Sequence, residues 1–357
     1  MFAAAGLVLA GCSNNDVRND IEENEVEIGF KAISEKVTKA EIIDEDGLAT
    51  AGGFVVWGYK ANTVANDWTT DLYAVFNKVN VTPKVAGEGS YIAPGTTTDE
   101  TAWTYADKKY WDKNATYAFY AVAPLQPAGV TYSISADAAN AKKISITPVS
   151  YGLASAAATN DYLIDRDGNI GRNGATDVWK NVDFNFHHIM TKVDFKVKKS
   201  TDVDQTLTIT ELKMTGWSNG TGSFTQTLTT TPGTLSNDEW TTKPTDKAGN
   251  VTLIGTAKGN ETVALANTDA VALTDVYLMV PQDIAASTLK FTVTYKIGDE
   301  VFKDQEATIT AAQTWGTDSH ITYTVTVGPK AIEFDVETIC GFDSPSSTAQ
   351  TDETTIQ

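Results

Sequence analysis

The sequence predicts an all-β protein built of sandwiches. Three observations carry this. Apolar and polar residues alternate over short runs, the period of a half-buried strand. Gly, Asn, Asp, Thr and Pro divide the runs at close intervals. No long amphipathic helical pattern is present. Many short strands with turn residues between them fit a sandwich better than any α/β layering.

The elements follow in order. In "EVEIGFKAI" Val26, Ile28, Phe30 and Ala32 share one face, so this is the first strand. "GGFVVWGYKA" is more continuously apolar and suits a central strand. "DLYAVFNKVNV" and "GSYIAP" follow, then the aromatic strand "ATYAFYAVAPL". "KISITPVS" and "NDYLIDRD" are shorter. "VDFNFHHIMTKVDFKVKK" holds two alternating pieces, with a turn-like or helical segment expected at His187 to Met190. The second half repeats the style in "QTLTITELKMTGW", "GSFTQTL", "VYLMVPQ", "LKFTVTYKIGDE", "VFKDQEATI" and "HITYTVTVG". Gly298-Asp299 between alternating runs is a hairpin signal. In "AIEFDVETIC" Ile332, Phe334, Val336 and Cys340 face one side, and Glu333, Asp335 and Glu337 the other. The polar stretch "KKSTDVDQ" places a domain boundary, dividing residues 26–199 from residues 200–342, with a polar tail over 343–357.

The chain of 357 residues is long enough for two ordinary domains. A formal net charge of -19 repels phosphate backbones and anionic head groups, so nucleic acid is not an expected partner. The beginning "MFAAAGLVLAGCSNND" is an apolar run too short to cross a bilayer, ending in Leu9-Ala10-Gly11-Cys12. That ending resembles a bacterial lipobox. It implies that residues 1–11 are a signal and that Cys12 carries lipid in the outer membrane. Residues 12–25 are polar and acidic, as a flexible tether would be. Cys340, left alone, is expected on an apolar strand face as a buried, inert thiol.

Several phrases, in this order, resemble the fimbrillin family of Bacteroidales, the subunits and accessory lipoproteins of type V pili. They are the lipobox and tether, "WTYADKKYWDKNATYAFYAVAP", "VDFNFHHIMTKVDFKV", "VYLMVPQ" and "TWGTDSHITYTVTV". The resemblance implies two tandem transthyretin-like, Greek-key sandwiches and a place at the cell surface. It also implies strand donation, in which a protease removes an N-terminal strand and a neighbour's C-terminal strand fills the groove. Val26, Ile28 and Phe30 would then mark the displaced strand, and Ile332, Phe334 and Val336 the donor strand. Ten extended residues span roughly 33 Å, enough to fill a sandwich edge. Lys39 of "KVTKAEI" matches the processing position, where the family often has Arg. A strictly Arg-specific protease would not cut there, which keeps an accessory or anchoring subunit in view beside a stalk subunit.

Other constellations are weaker. His187 and His188 are adjacent and point apart on a strand, and His320 is distant in sequence, so no metal site is expected. Asp165, Asp167 and Asn169 have calcium-loop spacing, but Ile170 and Thr176 stand where Gly and Glu are needed. A polar, Gly-rich turn is the better reading. No nucleophile elbow and no phosphate-binding Gly loop is present, so no catalytic residue and no cofactor is expected. Among eight tryptophans, Trp68 and Trp240 lie in polar surroundings and are the two expected at the surface. They frame the alternative reading, a monomeric surface lipoprotein that binds a glycan or host protein.

Overall fold

The computed structural model describes residues 27–34, 45–61, 72–84, 103–112, 115–136, 142–151, 161–171, 181–228, 235–243, 245, 247–259, 261–329 and 332–340. Cys12, Val26, Lys39 and Trp68 lie outside these residues. So do the signal, the tether, the tail and the expected strand "GSYIAP".

The described chain is almost entirely β. One sheet runs in the order β1 (Phe30–Ser34), β9 (Val182–His188), β8 (Leu163–Gly171), β5 (Thr116–Ala123), β2 (Phe54–Ala61), β3 (Leu72–Pro83), β4 (Trp103–Thr104). A short helix, α1 (Glu45–Thr50), precedes β2. A second sheet is β13 (Leu235–Thr242), β12 (Gly220–Leu228), β7 (Lys142–Tyr151), β6 (Thr131–Ala136). The remaining strands build a second sandwich. Its sheets are β16 (Val271–Met279), β10 (Thr191–Lys199), β21 (Ser319–Val327), β22 (Ile332–Cys340), and β14 (Asn250–Ile254), β11 (Leu207–Thr215), β18 (Lys290–Ile297), β19 (Glu300–Thr308). β15 (Val263–Leu265) also pairs with β11, and β17 (Gln282–Ile284) pairs with β20 (Gln313–Trp315).

β5 shows why its sequence is so aromatic: it buries both faces. Tyr117, Phe119 and Ala121 enter one core with Phe54, Val56 and Phe76. Ala118, Tyr120 and Val122 enter another with Trp57, Tyr132, Ile144 and Ile146. In the second sandwich Phe195 of β10 stacks on Tyr323 of β21 at 5.8 Å, beside Phe291 of β18. The β18–β19 hairpin forms where Gly298-Asp299 signalled it, with Gly298 at φ 59°, a conformation open to glycine.

The expected boundary at residues 199/200 is corrected. β10 is hydrogen-bonded between β16 and β21, inside the second sandwich. The first two residues of "KKSTDVDQ" end β10, and Ser200 to Gln205 form the turn from β10 to β11, with Thr201, Asp202, Asp204 and Gln205 exposed. The junction lies at Ile189 and Met190, which are buried. Both are pinned: Ile189 N–H donates to the Tyr162 carbonyl, Trp240 Nε1 donates to the Ile189 carbonyl, and Asp318 N–H donates to the Met190 carbonyl, each at 3.1 Å. The halves also interleave, because β12 of the later half pairs with β7 of the earlier half and carries β13 on its other edge.

Two further expectations are corrected. His187 and His188 belong to β9, not to a turn or helical segment. Asp165 to Asn169 lies within β8, where β5 supplies pairing partners and a register shift absorbs Asn169.

Candidate functional site: the slot around the first strand

β1 lies in a slot with two walls. Along one edge it pairs in parallel with β9, Phe30 opposite Val182 through Ser34 opposite Phe186. Just before β1, the Val182 N–H donates to the Gly29 carbonyl at 2.9 Å. The other edge meets the segment around Lys109. There the Ile28 N–H donates to the Lys109 carbonyl at 2.8 Å, and Glu27 forms an antiparallel bridge with Tyr110. The Tyr105 hydroxyl donates to the Ile28 carbonyl at 2.8 Å and accepts from the Lys109 N–H at 3.1 Å. Main-chain groups thus hold the strand, which is how an added strand is recognised in general.

Side chains supply the rest. Ile28, Phe30 and Ala32 are all buried, as the alternation of "EVEIGFKAI" requires. Phe30 is the hub of an aromatic cluster. Its ring lies 5.3 Å from Phe76, 5.6 Å from Tyr105, 5.9 Å from Phe184, 6.1 Å from Phe119 and 6.3 Å from Phe54. Those distances suit edge-to-face and offset contacts. The sheet curls so far that its first strand packs across the core onto β2, β3 and β5.

Tyr105 is buried between this cluster and the Ile28 carbonyl. Burial pushes its hydroxyl up to about 12, despite a backbone hydrogen bond from Lys109 that favours ionisation. The hydroxyl therefore stays a donor throughout the physiological range. Lys108 pairs with Glu27 at 2.7 Å and lies 4.7 Å above the Tyr105 ring. This pair is solvent-exposed and adds little stability.

The last strand lies elsewhere. β22 pairs antiparallel with β21 of its own chain, from Ile332 opposite Val327 to Cys340 opposite Ser319. It forms the edge of its sheet. Ile332 is buried and Val336 half-buried, whereas Phe334 is described by its strand position alone, opposite Val325. β1 and β22 thus belong to different sheets. The structure brings Ile28 and Phe30 into one core, and Ile332 and Val336 into another.

Trp240 is corrected. It is 6% exposed, packs on Phe224 at 5.5 Å and donates its Nε1 to the Ile189 carbonyl. Polar neighbours in "NDEWTTK" misled because neighbours in a strand face the opposite side. His188 lies 2.8 Å from Asp161, and His320 lies 3.0 Å from Asp194. Among the described residues no three His, Cys, Asp or Glu side chains gather as a metal site would need. Of the slot residues, Asn181 was not singled out in the sequence. Tyr105 and Phe184 fall within quoted alternating phrases, but their convergence on Phe30 depends on sheet curvature.

The fimbrillin-like family model matches residues 54–340, and the chain belongs to that family. Comparison with curated proteins returns no match. Among solved structures, a fimbrial protein from Bacteroides vulgatus aligns with a TM-score of 0.54 at 15% identity, covering 89% of this chain and 99% of that one. A candidate cell adhesion protein from Bacteroides uniformis gives 0.46 at 16% identity, covering 88% and 97%. The tip fimbrial protein Mfa3 from Porphyromonas gingivalis gives 0.38 at 9% identity, covering 89% and 99%. The first of these shows the shared β-sandwich fold.

Proposed function

We propose that this chain is a cell-surface fimbrial subunit that joins its neighbours by strand addition at the slot now filled by β1. Family membership and the fimbrial description of the Bacteroides vulgatus protein support the setting. The observation that carries the mechanism is the slot itself: walls of main-chain partners on both edges, and one aromatic side chain inserted among five rings. In this reading export uses a lipid on Cys12, and a trypsin-like cut at Lys39 frees the strand bearing Val26, Ile28 and Phe30. To act as donor, Ile332, Phe334 and Val336 must first leave β21. Partners are other pilus subunits, and the reaction is assembly, with no chemistry on a substrate.

A cross-strand lock tests this. Lys31 and Asp183 are register partners on β1 and β9. The double variant Lys31→Cys, Asp183→Cys should tie β1 in place when oxidised. Expected is the loss of SDS-resistant complexes from unboiled cell extracts, with recovery under reductant. Complexes that persist in the oxidised variant would sink strand addition at this slot. Cys12→Ser should in parallel release the protein from the membrane fraction.

The cis pairing of β22 favours one second reading, a monomeric surface lipoprotein that binds a glycan or host protein. Its signature would be no SDS-resistant complex in the wild type.

A further inference from the structure

We infer that Lys258 and Asp275 join covalently, the lysine Nζ and the aspartate Cγ forming an amide that staples the two sheets of the second sandwich together. The inference stands on residues remote from the β1 slot in sequence and does not depend on strand addition.

The fold brings the two side chains together from opposite sheets. Lys258 ends the 3-10 turn Thr256–Lys258, which follows β14 of one sheet. Asp275 belongs to β16, the edge strand of the other sheet. The β10–β16 register shifts between Asp194 and Lys196, and the extra residues fall on β16 between Ala272 and Val276. Bulges of this kind re-aim a side chain. Asp275 lies in that stretch, and Lys258 Nζ is in contact with its Oδ2. The two side chains are 24% and 26% exposed, so most of the pair is shielded from water. Tyr277 shares the pair: its hydroxyl donates to the same Oδ2 at 3.3 Å, and its ring centroid lies 5.8 Å from Nζ.

The step balances within the pair. Nζ passes one proton to Oδ2, leaving a neutral amine beside a neutral acid. The amine lone pair attacks Cγ and the Cγ–Oδ2 bond breaks. That oxygen leaves as water, carrying the first proton and a second from Nζ. One ammonium and one carboxylate thus become one amide and one water, with no oxidant or other reactant. The Tyr277 hydroxyl is placed to donate to the departing oxygen. Burial makes Lys258 a weaker base than an exposed lysine, an effect the Glu261 carboxylate partly opposes. Desolvation of this kind activates a lysine as a nucleophile. Groups already held in contact give up little further freedom on joining, which is worth effective molarities of roughly 10⁵ M or more. The amide would fasten β16 at one edge of its sheet, while β22 lies at the other edge.

Peptide mapping of the folded, purified full chain tests this. Lys247, Lys258 and Lys290 are consecutive trypsin sites. With the amide in place, trypsin fails at Lys258 and releases residues 248–290 as one looped peptide, lighter than its sequence by one water. Fragmentation should place the link between Lys258 and Asp275. The Lys258→Arg and Asp275→Ala chains should each lose it. Separate peptides 248–258 and 259–290 at their unmodified masses, from wild-type chain held folded at neutral pH for days, would overturn the inference and leave an ordinary ion pair. A lost water that maps to any other pair of residues would overturn it as well. The decisive reading comes from the wild-type chain, so a variant that fails to fold does not obscure it.

Discussion

Phe30 is the residue on which the slot depends. It is 2% exposed and touches rings from β2, β3, β5 and β9 and from the Tyr105 segment. Phe30→Ala removes a fully buried ring and leaves a cavity that a curled sheet cannot close. The expected cost is about 3–5 kcal/mol by denaturant unfolding. Phe302→Ala serves as the comparison. Its ring stacks on Tyr295 at 4.8 Å but lies half-buried on an edge strand, so about 1–2 kcal/mol is expected. Tyr105→Phe deletes the hydrogen bond to the Ile28 carbonyl and should cost about 1 kcal/mol.

The same tyrosine sets a pH dependence. Its folded value is raised to about 12 against an ordinary 10. Between those pH values the unfolded chain gives up the proton and the folded chain keeps it, so stability falls as pH rises. The contribution is intact below pH 10. Buried Tyr132, Tyr277 and Tyr323 are also pushed upward by burial and should act in the same direction. A denaturation series from pH 8 to 12 should therefore be flat at first and then fall. The fall should be smaller in Tyr105→Phe. A stability curve without that fall would contradict the buried setting of these hydroxyls. At this scale the sequence was partly legible. Alternation marked Ile28 and Phe30 as inward-facing, because period two is a local property. Local polarity misplaced Trp240, because burial there depends on which face of β13 meets the core.

Elements differ in how firmly they are held. β10 has hydrogen-bonded neighbours on both sides and buries Val193, Phe195 and Val197. β22 has one neighbour, β21, and forms an edge. Hydrogen exchange should therefore be slowest in β10 and much faster in β22, because local opening follows pairing and burial. Equal protection in the two strands would contradict this placement. The edge strand β19 is nearly all exposed and carries Glu300, Lys303, Asp304 and Glu306, charges that discourage pairing with another chain. Strand existence was readable from alternation for most of these elements. Pairing order was not. The β12–β13 hairpin crosses to β7 because its Phe224 and Trp240 complete a core begun in the earlier half, and such a choice has no local signature. The boundary was misplaced for a related reason: a polar stretch marks a surface turn as readily as it marks a linker, whereas the true junction at Ile189 and Met190 is apolar and buried.

At the scale of the whole molecule, one hydrophobic core joins the two sandwiches. It runs from Trp57 and Tyr132 through Ile189 and Met190 to Tyr323 and Trp315. The junction is pinned by Tyr162, Trp240 and Asp318. A single cooperative transition is expected when tryptophan fluorescence reports on both halves. Two well-separated transitions would show that the halves are energetically independent. The core around Phe30 is a separate cluster, enclosed by the curled sheet. The strand exchange we propose requires β1 to leave without dissolving the larger core, and the separation of the two clusters supports that reading.

The most direct test is whether β1 can be exchanged at all. The full-length chain, carrying a specific protease site inserted between Ser34 and Glu45 and nicked there, is mixed with labelled peptide of residues 24–34 and followed by native mass spectrometry. Expected is the uptake of one peptide per chain, with loss of the resident fragment and retention of the folded charge-state distribution. A chain that keeps its own fragment under mild denaturant, or unfolds as the fragment departs, would contradict the slot as a site of assembly.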